Sequence, residues 1–250
     1  MEERIWNRIV KYTELQGTSG QEHAIRKAFR DDLTPLVDEV VQNGLGGLYG
    51  IRKHTDADAP RVMFGAHLDE VGFIVTAVTA RGMLVVAPVG GWNPYTVSAQ
   101  RFTLFTRDTS YPVVSSAVSP HFLREGGVNG APKIEDILFD GGFTSHDEAW
   151  SFGIRPGDFI VPDVKTVMLA NGKRVVSKSW DNRFGLVTIL NALENLQHDA
   201  LPNTLIMGAN VQEEVGLRGV GPAVNQLQPD LFFALDSSAA DDTKSDQAQG

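Results

Sequence analysis

The chain has 250 residues, 42% of them hydrophobic, enough to bury a substantial core in one large domain or two modest ones. A net charge of −9 with dispersed basic residues argues against a nucleic-acid or anionic-membrane partner, and no apolar run approaches the roughly 18 residues needed to span a bilayer. The absence of cysteine excludes disulfides and thiolate ligands, so any metal must sit on histidine and carboxylates, the donor set of catalytic zinc, cobalt or manganese sites.

The opening Met1-Glu2-Glu3-Arg4 lacks the apolar stretch of a signal peptide, and a cytoplasmic location is expected. Ile5, Ile9, Tyr12 and Leu15 recur at helical spacing, and Gly17 to Gly20 supply a stop and a turn. A second helix is expected from Gln21 to Leu33, carrying Ile25 and Phe29. Val37 to Val41 and Leu45 to Ile51 read as two strands of a hairpin around Asn43-Gly44. The nearby glycines lack the G-x-G-x-x-G order and no helix pattern follows, so a hairpin is preferred to a phosphate cradle. Val62 to Ala66 is a continuous apolar run suited to a strand buried on both faces, and His67 follows it directly.

Between about Asp69 and Lys165 the pattern changes to short β-type runs broken by Gly and Pro: Phe73 to Val78, Met83 to Val86, Phe102 to Thr106, Val113 to Val118, Ile137 to Phe139 and Phe159 to Val161. No helix pattern of comparable strength occurs there. The expectation is a small β domain inserted into an α/β domain. Beyond it, Phe184 to Leu196 reads as a helix, Leu205 to Val211 as a strand, Val220 to Leu227 as a short helix and Leu231 to Leu235 as another strand. Such alternation predicts parallel strands with helices on both faces. The polar tail from Ser237 to Gly250 reads as loop.

Three apolar strands thus end in residues able to bind metal: His67, the pair Glu213 and Glu214, and Asp236. In parallel α/β sheets the ligand crevice lies beyond the carboxyl ends of the strands, so these distant segments converge. Taken singly, each has a plainer reading: a structural histidine, a solvated loop, a helix cap. Taken together, the three strand ends make a site. Asp69 can accept the second imidazole N–H of His67, and its plainer reading is a turn residue. Adjacent Glu213 and Glu214 point in different directions, so one can bind metal while the other moves protons. Asp181 can bridge two ions with its two oxygens, although a carboxylate opening a helix is more often an N-cap.

Gly65-Ala66-His67-Leu68-Asp69-Glu70-Val71-Gly72-Phe73, Ser179-Trp180-Asp181-Asn182-Arg183-Phe184-Gly185 and Val211-Gln212-Glu213-Glu214-Val215-Gly216-Leu217-Arg218-Gly219 resemble the M42 metallo-aminopeptidases, particularly their glutamyl aminopeptidase group. Gly90-Gly91-Trp92-Asn93-Pro94 and Asp140-Gly141-Gly142-Phe143 look like the same group. The resemblance covers essentially the whole chain. It implies an α/β, mostly parallel-sheet two-metal peptidase domain with an inserted small β-barrel-like domain. Residues 1–68 and 166–250 would form the catalytic part, and 69–165 the insert, with a role in oligomerisation.

The resemblance further implies two divalent ions, zinc or cobalt, held by His67, Asp181, Glu214 and Asp236, with Asp181 bridging, Glu213 as general base and Asp69 as a catalytic partner of His67. Peptides are the implied substrates, with Glu or Asp preferred at the N-terminus. Dimers assembling into dodecamers are the implied homo-oligomers. The family pattern continues past Gly250 and supplies a final His ligand, so the 250-residue chain as written is expected to be a poor enzyme. Rival readings are a related two-metal deacylase or carboxypeptidase, and a catalytically silent binding or assembly protein. The absence of a G-x-S-x-G elbow disfavours a nucleophilic hydrolase.

Overall fold

The computed structural model describes residues 2–117 and 133–238. Two helices open the chain, α1 (Glu3–Glu14) and α2 (His23–Leu33), followed by a single 3₁₀ turn at Thr34–Leu36. Ile9 and Tyr12 of α1 and Ile25, Phe29 and Leu33 of α2 are buried, so each helix packs along one apolar stripe. Then come β1 (Glu39–Gln42), β2 (Leu48–Arg52) and β3 (Arg61–His67). The hairpin between β1 and β2 is wider than a two-residue Asn-Gly turn. Asn43 Oδ1 accepts from the N–H groups of Leu45, Gly46 and Gly47, so one side chain organises the whole loop.

Six strands then close into a barrel: β4 (Gly72–Val78), β5 (Leu84–Val89), β6 (Arg101–Phe105), β7 (Ser110–Ser115), β8 (Phe139–Asp140) and β9 (Phe159–Pro162). Two short helices also lie in this region, α3 (Pro94–Val97) and α4 (His146–Ser151), where the sequence showed no helical periodicity. Both are too short to display it, and both are set by caps. Asn93 Oδ1 accepts from Tyr95 N, and Ser145 Oγ accepts from Glu148 N. Ile137 belongs to a 3₁₀ exit rather than a strand, and Val118 lies outside the described residues.

The chain continues through a two-stranded hairpin, β10 (Val167–Met168) and β11 (Val175–Val176), to α5 (Trp180–Asn195), β12 (Thr204–Asn210), α6 (Val220–Leu227) and β13 (Leu231–Ala234). The main sheet has the order β1-β2-β12-β3-β13. Strand β3 pairs parallel with both β12 and β13, whereas β2 runs antiparallel to β12 and to β1. The sheet is therefore mixed, with its parallel half under the predicted ligands. A hairpin signal fixes only the pairing of its own two strands, so the antiparallel join of β2 to β12 had no local signal.

Helices cover both faces. Leu205, Met207 and Ala209 of β12 pack with α1, α2 and α5, while Ile206 faces the opposite side with Met63, Ala223 and Leu227. Gly208 is required where β12 crosses Tyr49, because a Cβ there would lie 2.6 Å from the Tyr49 Cα. The barrel has a separate core built on Phe73, Phe102 and Phe139, with Trp92 stacked 4.8 Å from Phe73.

Candidate active site

β3 carries the chain to His67, and parallel pairing sets His67 opposite Asn210, the last residue of β12. Val211 and Gln212 then lead to Glu213 and Glu214, while Leu235 and Asp236 follow β13. Three neighbouring strands therefore deliver their chemistry to one edge. The imidazole of His67 is 2% exposed. Its Nε2 lies 2.9 Å from Asp181 Oδ1, 3.8 Å from Glu213 Oε2 and 3.9 Å from Asp236 Oδ1. His67, Asp181 and Glu214 each offer one donor atom within 4.8 Å of the others. Asp236 borders this trio and lies outside the group whose atoms converge this closely.

The other imidazole nitrogen is committed to the backbone. Nδ1 is 3.0 Å from the main-chain carbonyl of Asp69 and 3.5 Å from its carboxylate. A carbonyl can only accept, so Nδ1 carries a proton, and Nε2, which donates to Asp181 while no cation is present, is the nitrogen left to ligate one once its own proton is lost. The Asp69 carboxylate, expected from sequence to orient the ring, is mostly occupied elsewhere. Its Oδ1 accepts from Glu213 N at 3.0 Å, and its Oδ2 from Glu214 N at 3.1 Å and Ser19 Oγ at 2.6 Å. One buried side chain thus ties the His67 segment to the main chain of both glutamates. The sequence offered no sign of the Ser19 contact, because the two residues are fifty positions apart in unrelated segments.

Asp181 lies in the first turn of α5, whose N-cap residue is Ser179, and its Oδ1 faces His67 Nε2. Ser179 ahead of it is left-handed (φ 52°, ψ 25°), and Asp181 has φ −80° and ψ 111°. The irregular turn aims the carboxylate at His67 instead of back along the helix. Beneath it lies a buried charge cluster that the sequence did not reveal. Glu70 accepts from Lys178 Nζ, Ser179 Oγ and Arg183, and Arg183 is fully buried. Burial pushes the Lys178 ammonium pKa down, against the pull of Glu70.

The electrostatics follow from crowding. Burial alone would lower the His67 pKa, but bonds to Asp181 and Asp69 and nearby Glu213 outweigh it and raise it to about 10. Burial raises Glu214 to about 7, with the charges of Asp181, Asp69 and Glu213 adding to the shift against that of His67. Burial likewise raises Glu213, reinforced by Asp236, Asp69 and Asp181. Several carboxylates facing one imidazole form a site short of positive charge. Its hard oxygen donors and single nitrogen suit a divalent cation, so the donor set fits the metal that sequence reasoning called for.

No helix among the described residues is long and apolar enough to cross a membrane. Residues 46–250 match the family described as M42 glutamyl aminopeptidase. The chain is 48% identical over 244 residues to the glutamyl aminopeptidase of Lactococcus lactis subsp. cremoris, covering 97% of this chain and 69% of that one. Among solved structures, a TET aminopeptidase from a marine sediment Thaumarchaeota archaeon superposes with a TM-score of 0.92 at 31% identity, covering 97% of this chain and 69% of that one. A Pyrococcus horikoshii TET1 peptidase, which can assemble into a tetrahedron or a large octahedral shell, gives 0.86 at 29% identity over 95% of this chain and 70% of that one. The chain thus spans about two thirds of the length of these relatives. With the family match running through the strand ends that carry His67, Glu213 and Glu214, this chain belongs to the M42 glutamyl aminopeptidase family, a family of metallopeptidases.

Proposed function

We propose that the full-length protein is a two-metal aminopeptidase that hydrolyses the N-terminal peptide bond of peptides, favouring Glu or Asp at the first position. The observation that carries this reading is the convergence of His67, Asp181 and Glu214 donor atoms within 4.8 Å at the edge of the sheet. The acidic preference is supported by the identity with the Lactococcus glutamyl enzyme.

His67 Nε2, Asp181, Glu214 and Asp236 would hold the ions, zinc or cobalt. When bound, the ions lower the pKa of an attacking water and polarise the scissile carbonyl. The Glu213 carboxylate takes the water's proton and passes it to the leaving amine, and burial raises its pKa, which strengthens it as a base. Asp69 keeps both glutamates in register through their N–H groups. The acidic rim also attracts a free α-ammonium group, which an internal peptide bond lacks.

Residues 1–68 and 166–250 would form the catalytic part, with 69–165 as an inserted barrel that contributes to homo-oligomer assembly. The shells that the P. horikoshii neighbour can form support homo-oligomer assembly. A chain without cysteine suits the reducing cytoplasm.

The test uses the full-length protein on short acidic peptides. Release of the first residue is expected, N-acetylation of the substrate should abolish it, and release from the C-terminus would favour a carboxypeptidase. Glu213→Gln should retain metal while kcat falls by about 10² to 10⁴. Glu214→Gln should lose metal affinity instead. Equal metal loss in both variants would refute the division of roles.

A further inference from the structure

The Asp181 side chain is 55% exposed, so packing does not place it. Its position is inherited from the backbone, which enters α5 through a left-handed serine. Few non-glycine residues adopt that conformation unless the surroundings impose it. What surrounds Ser179 is Glu70. Ser179 Oγ bonds Glu70 Oε2, Lys178 Nζ lies 2.7 Å from both Glu70 oxygens, and Arg183 Nη2 is 3.4 Å from Oε1. Arg183 N in turn donates to the Ser179 carbonyl at 3.1 Å. The residues on both sides of Asp181 are thus fastened to one carboxylate.

Glu70 is itself fixed. It is 2% exposed, Gly17 N donates to its Oε1 at 3.1 Å, and its own N–H donates to the Gly17 carbonyl at 2.9 Å. Arg183 and Lys178 reach on to the carbonyls closing α1: Arg183 donates to those of Tyr12, Leu15 and Gly17, and Lys178 to that of Leu15. Glu70 follows Asp69 directly, so the same short segment supports His67, the loop of Glu213 and Glu214, and the turn of Asp181.

We propose that Glu70 is a positioning residue for the metal centre: clamped by Lys178, Ser179 and Arg183, it holds the Asp181 carboxylate against His67. The inference rests on the reading of Asp181 as a metal ligand. It adds a residue that touches neither ion nor substrate and acts through the backbone of the Ser179 turn. Ser179→Gly isolates the effect, because glycine accepts the left-handed conformation and leaves every charge in place while removing the hydroxyl. Glu70→Gln removes the charge that Lys178 and Arg183 share.

The experiment titrates cobalt into metal-free full-length wild type, Ser179→Gly, Glu70→Gln and Asp181→Asn. It records the visible absorption band, the melting temperature without metal, and kcat and KM. The expected result is cobalt affinity about tenfold weaker in Ser179→Gly and Glu70→Gln, an altered absorption band at saturation, and kcat down about tenfold with KM within about twofold. Ser179→Gly should melt near wild type. If melting falls while the cobalt spectrum and affinity stay at wild-type values, the cluster is purely structural and the proposal is overturned. If Asp181→Asn loses cobalt but neither clamp variant does, the clamp fails and the metal reading stands. If Asp181→Asn binds cobalt as wild type does, the metal reading fails and takes the clamp with it.

Discussion

Glu22 shows how a residue outside the proposed chemistry responds to the site. It is buried, and its Oε1 accepts from Gly20 N at 2.8 Å and Gln212 N at 3.2 Å, thereby bracing the turn before Glu213. Burial raises its pKa and the charge of Asp69 adds to the shift, against those two N–H donors. A folded pKa above the unfolded one makes ionisation oppose folding. No penalty exists below the unfolded pKa, and it grows as pH rises through the folded value. Glu22→Gln keeps the accepting oxygen without the charge. Its melting temperature should match wild type in acid and exceed it towards neutrality. A variant less stable than wild type at neutral pH would show that the Glu22 charge is needed by the buried Arg183. At this scale His67, Glu213, Glu214 and Asp236 were legible because each closes an apolar run. Glu70, Lys178 and Ser19 were not, because their roles exist in pairings fifty or more positions apart, such as the 108 between Glu70 and Lys178. No periodicity records such pairings.

Among the elements, α5 departs most from its sequence pattern. Phe184 to Leu196 predicted the regular part, and the helix begins earlier, at Trp180, through a turn whose dihedrals are not helical. The plainer reading of Asp181 as an N-cap fails there, since the carboxylate is turned towards His67. Gly185 shows why the turn must stay in place. A Cβ at that position would lie 2.5 Å from Asn182 Oδ1 and 2.7 Å from Ala66 Cβ, both atoms of buried residues. Gly185→Ala gains about 1 kcal/mol of helix propensity. It also forces α5 away from β3 in a packed core, a change that costs about 1–3 kcal/mol. The steric term should win, lowering the melting temperature, and because the displaced residue adjoins Asp181 the metal content should fall as well. A stabilised variant with full metal content would show that the helix can shift without disturbing the carboxylate. Helix and strand cores are legible because burial imposes a period on them. The irregular turns that aim functional groups carry no period.

Across the whole molecule, a sheet part with a hydrophobic core on each face is joined to a barrel with a core of its own. The strands that enter and leave the barrel are neighbours: Phe73 of β4 pairs with Ile160 of β9, and Ile74 with Phe159. Such antiparallel partners have Cα atoms about 5 Å apart, so the break could be closed by a linker of about four residues without stretching the sheet domain. The segment following the barrel is anchored independently, with Lys165 paired to Glu14 and Thr166 bonded to Thr13 and Ser177. The core under β12 contains no barrel residue. We therefore predict that full-length protein with residues 72–162 replaced by a short Gly-Ser linker folds cooperatively and still binds cobalt. Two properties should be lost. The Gly90 loop lies against Val71 and Glu214, where a Cβ on Gly90 would be 3.3 Å from Glu214 Cβ, so its removal opens the site and should raise KM. Assembly should also shift to smaller species if the barrel carries the subunit contacts. Light scattering on the eluting protein and a cobalt titration check both points. An excised protein that still forms the wild-type oligomer would move the subunit contacts to the sheet domain. Failure to bind cobalt despite cooperative melting would show that the barrel completes the metal centre, and that the sheet part and the barrel are one functional unit.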